Sequence, residues 1–167
     1  MTTGQMMLMT VLYLAAFVAA AYFTRAKVRR IAGALAGGAV FAVIGVLAVA
    51  MGEAQNWWRV PKAHASPFWL LLWLGLAVSC APVYLITWRV ARRFGGRSLA
   101  LCALVSGIIG PPRDYFYAAT FPSWMVFSPG ITPVVADATI YVLLVVVGHG
   151  VMRMFAGPAK DDSLQTG

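Results

Sequence analysis

Five apolar runs, four of them near the length of a membrane crossing and each followed by a short polar or basic segment, constrain this chain more than any other feature. They cover residues 6–23, 31–51, 68–88, 98–110 and 131–155. A spanning helix needs about 20 consecutive apolar residues. Composition agrees: 61% of the 167 residues are hydrophobic and 11% charged, against about 45–50% and about 25% in soluble domains. Mean hydropathy is +0.80. The fold class expected is all-α, a polytopic membrane bundle of five transmembrane helices. Residues 1–157 form its single domain, and 158–167 a disordered cytoplasmic tail.

A formal charge of +8 would suit a nucleic-acid partner if it were spread over a polar surface. Here the basic residues cluster at the ends of apolar runs, where they fix orientation and meet anionic headgroups. The partner expected is the lipid bilayer, with no nucleic acid. Arg25, Lys27, Arg29, Arg30, Arg89, Arg92, Arg93, Arg97, Arg153 and Lys160 fall on one side of a five-span chain, and only Arg59, Lys62 and Arg113 on the other. Positive residues favour the cytoplasm. The expected location is the plasma (inner) membrane, multi-pass, with the amino terminus outside and the carboxyl terminus cytoplasmic.

The first run could be taken for a secretory signal, and Ala19-Ala20-Ala21 resembles a cleavage site. A signal carries its positive charge in front, whereas TRAKVRR follows this run, so a retained first helix is expected. In the second run, Gly33 and Gly37 are one turn apart, the small-residue spacing that brings helix backbones close in lipid. Packing inside the bundle accounts for it more simply than a dimer face. The third run carries Ser79, Cys80 and Pro82. Proline kinks a helix by removing a donor, and Ser79 or a neighbouring helix is expected to serve the freed carbonyl; the kink either shapes a cavity or is ordinary packing. Cys80 and Cys102 are expected to remain free thiols.

Between the second and third runs, Trp57, Trp58 and Arg59 read as interface anchors at headgroup level, or as part of a lid. His64 has no second His or Cys at ligand spacing, and His149 lies on the opposite side of the membrane, so no metal site, haem ligation or other cofactor is expected. His149, between Gly148 and Gly150, suits close packing and one hydrogen bond.

The segment GPPRDYFYAATFPSWMVFSPG, residues 110–130, concentrates most of the chemistry. From Ser98 to Gly110 a helix rises only about 20 Å, short of a ~30 Å hydrocarbon core. The fourth helix is therefore expected to be kinked or broken at Pro111-Pro112, the broken form starting a half-helix with Asp114 near its positive end. Arg113 is as far along the chain from Arg97 as Asp137 is from Arg153, so equal rise puts both at about 24 Å above the inner anchors. A charge at that depth is costly unless paired, and a bridge between Arg113 and Asp137, with Tyr141 or Asp114 beside it, is expected.

The candidate ligand-binding residues are accordingly Arg113, Asp114, Tyr115, Tyr117, Trp124, Asp137 and Tyr141. The chain shows no phosphate-binding glycine loop, no HExxH, no serine elbow and no CxxC, and carboxylates held by an arginine orient better than they catalyse. No catalytic residue is assigned. The function expected is a small inner-membrane accessory or ligand-binding subunit with an aromatic-lined charged site at the outer boundary. The alternatives are an ion or small-molecule carrier working as a homo-oligomer, and a membrane enzyme acting on a lipid-soluble substrate. Partners on this reading are other membrane subunits, a second copy of the chain, or a lipid or lipophilic small molecule.

Overall fold

A computed structural model describes residues 3–61 and 68–158. Lys62, His64, Lys160 and the tail from 159 lie outside the described residues. The described chain is helical: α1 (Thr3–Thr24), α2 (Val28–Ala54), α3 (Phe68–Phe94), α4 (Arg97–Thr120) and α5 (Ile131–Ala156), with two short strands, β1 (Trp58–Arg59) and β2 (Val126–Phe127). Three helices, α2, α3 and α5, are long and apolar enough to cross a membrane, and Leu8–Thr24 within α1 is a shorter apolar helix. Their outer faces are hydrocarbon: Leu47, Leu70, Leu74, Val146 and many others are exposed, as lipid-facing residues would be.

The expected ends of the helices need correction. α4 does not stop at Gly110; it runs through Pro111 and Pro112 to Thr120 as one helix. The broken-helix alternative, with a half-helix beginning at Pro112, is therefore overturned. Two prolines delete two backbone donors, but Pro111 and Gly110 are buried and the helix packs along α5. Tertiary packing holds what local propensity would interrupt.

α2 is the hub, packed against both α3 and α5. Its glycines explain why. A Cβ on Gly37 would overlap the Gly148 carbonyl of α5, one on Gly38 the Ala77 carbonyl of α3, and one on Gly33 would lie 3.1 Å from the Met152 carbonyl. The glycine spacing thus works inside the bundle, where backbones cross in direct contact. Gly148 lies under the Tyr84 ring, and Tyr84, Leu85, Phe41, Val145 and Met152 form the packed centre. α1 packs against α3.

One end of the bundle is tied by arginine. Arg30, 1% exposed, donates to the carbonyls of Gly157 at 3.0 Å and Ala156 at 3.1 Å, and its guanidinium lies 5.1 Å from the Trp88 ring centroid. Arg29 donates to the Phe155 carbonyl at 3.0 Å. The last carbonyls of α5 have no partner within the helix, and two arginines at its negative end satisfy them.

Candidate functional site

The opposite end is closed by the two connectors. α2 ends with Asn56 at a positive φ of 56°, while Asn56 N donates to the Glu53 carbonyl at 3.1 Å and Trp57 N to the Gly52 carbonyl at 2.8 Å. This double bond pattern is the left-handed helix stop that tolerates Asn. It turns the chain so that the Trp58 ring lies on Gly52, where a Cβ would overlap the indole. Trp58 Nε1 donates to the Val49 carbonyl at 3.0 Å. The strand then pairs antiparallel with the other connector, Trp58 opposite Phe127 and Arg59 opposite Val126. Ser128 reinforces the pairing, its N donating to the Trp57 carbonyl at 2.9 Å and its Oγ to the Asn56 carbonyl at 2.6 Å.

Trp57, Trp58 and Arg59 therefore differ from one another. Trp58 is buried at 3% exposure and forms part of this cover, its indole packed on Gly52. Trp57 is half-buried and Arg59 exposed.

Beneath the cover is a cavity of about 350 Å³, within the range of about 300–1,000 Å³ common for small-molecule sites. Each helix gives it one stripe at three- or four-residue spacing, the period of a helix face: Met9 and Tyr13 from α1, Phe41, Gly45 and Val49 from α2, and Leu72, Leu76, Ser79 and Val83 from α3. α4 adds Ser106, Arg113 and Tyr117, and α5 adds Asp137, Tyr141 and Leu144. Thr10, Leu71 and Gly75 also line it and are exposed, as is Arg113 of α4, which marks an opening beside the amino-terminal halves of α1 and α3.

The charged groups that line it, Arg113, Asp114 and Asp137, come from α4 and α5. Arg113 Nη1 donates to the Tyr141 hydroxyl at 2.5 Å, and Nη2 to the Tyr13 hydroxyl at 2.9 Å. Tyr141 in turn donates to Asp114 Oδ1 at 2.9 Å, and Arg113 Nη1 lies 3.5 Å from the same oxygen. The guanidinium is 5.4 Å from the Tyr117 ring centroid. Gly110 makes this arrangement fit, since a Cβ there would overlap the Tyr141 ring.

The expected Arg113–Asp137 bridge is absent. Asp137, 5% exposed, has no hydrogen-bond partner for Oδ2 among the described residues. Equal helical rise matched the two residues in depth, but depth leaves azimuth open. The approach of Tyr141 over Gly110 brings its hydroxyl to both Arg113 and Asp114, and the arginine bonds to Tyr141 and Tyr13.

Of the sequence-derived candidates, Arg113, Asp114, Tyr117, Trp124, Asp137 and Tyr141 line the one cavity. Tyr115 is not among the lining residues; it stacks on Phe127 at 4.2 Å and joins the cover. Sequence reasoning missed Tyr13 and Phe41 as wall residues; Trp58, read there as an anchor or part of a lid, lines the cavity from the cover. Tyr13 carried a signal, a phenol in the middle of an apolar run; Phe41 carried none. Ser79 lines the cavity, though its hydroxyl donates to the Leu76 carbonyl at 3.2 Å and does not serve the Val78 carbonyl that Pro82 frees. Away from the cavity, His149 is buried with Nδ1 3.0 Å from Thr87 Oγ1, and both cysteines are free. Compared with protein-family models, curated proteins and solved structures, the chain has no match in any of the three.

Proposed function

We propose that this chain is a small integral inner-membrane protein that holds a lipophilic small molecule or lipid in the cavity under its outer cover, acting as a ligand-binding or accessory subunit. In this reading α1 and α4 complete five spans, α4 crossing its prolines as one kinked helix, with the amino terminus outside and the arginine-tied end in the cytoplasm. The observation that carries it is the shape and chemistry of the cavity: a largely apolar body, charged groups converging on it from α4 and α5, and an opening beside α1 and α3. Ligand sites have that composition, with hydrophobic walls supplying affinity and a few polar groups fixing orientation. The arginine, carboxylate and two phenols of the lining are mutually hydrogen-bonded, which holds them in place without a bound molecule.

Purification from its native membrane in a mild uncharged detergent, followed by mass spectrometry of co-purifying lipids, small molecules and proteins, tests the proposal. A bound lipophilic molecule that disappears when Gly75→Phe narrows the mouth supports it. A stable complex with other membrane proteins assigns the accessory role. Turnover of the bound molecule, lost in Asp114→Asn or Asp137→Asn with the fold intact, would overturn the binding reading in favour of an enzyme.

A further inference from the structure

The charged side of the cavity is unbalanced. Arg113 is engaged by the Tyr141 hydroxyl, the Tyr13 hydroxyl and Asp114, and Asp114 accepts the Tyr141 proton as well. Asp137 lies one turn before Tyr141 on α5, 5% exposed, in the lining of the same cavity. Its Oδ2 has no donor among the described residues. More than nine in ten buried polar groups in folded proteins are satisfied, and none of the described residues satisfies this carboxyl oxygen, which leaves it open to a donor entering the cavity. An ionised carboxylate accepts only. In formal charge, one guanidinium and two carboxylates leave this side of the cavity with one carboxylate in excess, which favours a cationic head over an anionic one.

We infer that the cavity takes a lipophilic amine, its ammonium head on Asp137 and its hydrocarbon body along Leu72, Leu76, Ile140 and Leu144. This rests on the reading of the cavity as a ligand site and assigns the class of ligand. Two further features suit a cation. The rings of Tyr117 and Trp124 line the same space, and aromatic faces attract ammonium groups. The opening beside α1 and α3 faces the apolar exterior of the bundle, from which an amphiphile partitioned in the bilayer would enter head first.

The experiment offers dodecylamine, dodecanol and dodecanoate in turn to the purified full chain in an uncharged detergent and reads retention by native mass spectrometry. Dodecylamine is expected to be retained at least tenfold better than either competitor. Asp137→Asn should abolish that preference and Asp137→Glu should keep it. Equal or better retention of dodecanoate, or an amine preference unchanged in Asp137→Asn, overturns the inference. If Asp137→Asn does not fold, the ranking of the three probes on the unmodified chain still decides it. Gly75→Phe separates this inference from the one beneath it, because an added Cβ at Gly75 meets nothing within 4 Å and the fold should tolerate it. Equal retention of all three probes, lost in Gly75→Phe, would leave the cavity as a ligand site while removing the amine. Retention of none, or retention indifferent to Gly75→Phe, would remove both.

Discussion

Tyr141 illustrates how one side chain can organise a charged cluster in an apolar bundle. Its hydroxyl accepts from Arg113 and donates to Asp114, so the opposite charges communicate through a neutral group as well as directly at 3.5 Å. Removing one member of such a network leaves its partners unsatisfied, at a cost of about 1–3 kcal/mol per group. Tyr141→Phe should therefore lower stability by about 1–3 kcal/mol, read as a fall in the thermal midpoint in detergent. Combined with Arg113→Gln it should cost less than the two single changes together, because neighbours in one network are non-additive. Additive losses would mean that the hydroxyl and the guanidinium do not cooperate.

At the scale of the helix, close approach and end satisfaction dominate. Gly37 meets the Gly148 backbone of α5, where no side chain can move aside to accept a methyl group. Gly37→Ala should destabilise the bundle by about 1–3 kcal/mol, the usual range for overpacking. Gly96→Ala is the control: Gly96 has nothing within 4 Å and a φ of −64°, so its effect should be small. A similar thermal shift in both variants would contradict the crossing of α2 and α5. At the end of α5, Arg30 makes two charge-assisted bonds to terminal carbonyls. Bonds of this kind are worth about 1.5–3 kcal/mol each, and Arg30→Ala should be among the most damaging single changes in the chain. Arg30→Lys should rescue it only in part, since an ammonium lacks the planar fork that spans two acceptors. Protease resistance of the carboxyl-terminal helix would show the difference.

For the molecule as a whole, the two ends have different tasks. One end is basic and held by Arg29 and Arg30 on α5; the other is an aromatic cover built where Trp58 pairs with Phe127. The orientation proposed above has a direct consequence. A reporter fused after Gly96 should behave as cytoplasmic and one fused after Ser128 as external. Both on one side of the membrane would exclude the five-span arrangement.

The sequence by itself determined the class and the order of the elements, because apolar run length and basic clustering are one-dimensional properties set by the thickness and charge of a bilayer. Helices were legible over all five runs, and the use of Gly33 and Gly37 in packing followed from their spacing. Helix ends were less so. α4 extends ten residues past Gly110 and eight past Pro112, where a kink or a break was expected, because packing on α5 outweighs the two missing donors. Six of the seven candidate site residues line the cavity, since charge and aromaticity are rare enough in such a chain to mark the place. Their partners were not legible. Rise per residue gave Arg113 and Asp137 a common depth, but which face of α4 meets which face of α5 depends on Gly110 and Tyr141 fitting together. That fit pairs Arg113 with Tyr141, Tyr13 and Asp114 and leaves Asp137 facing the cavity, a choice only the tertiary structure makes, because azimuth is set by side-chain contact between helices far apart in the chain.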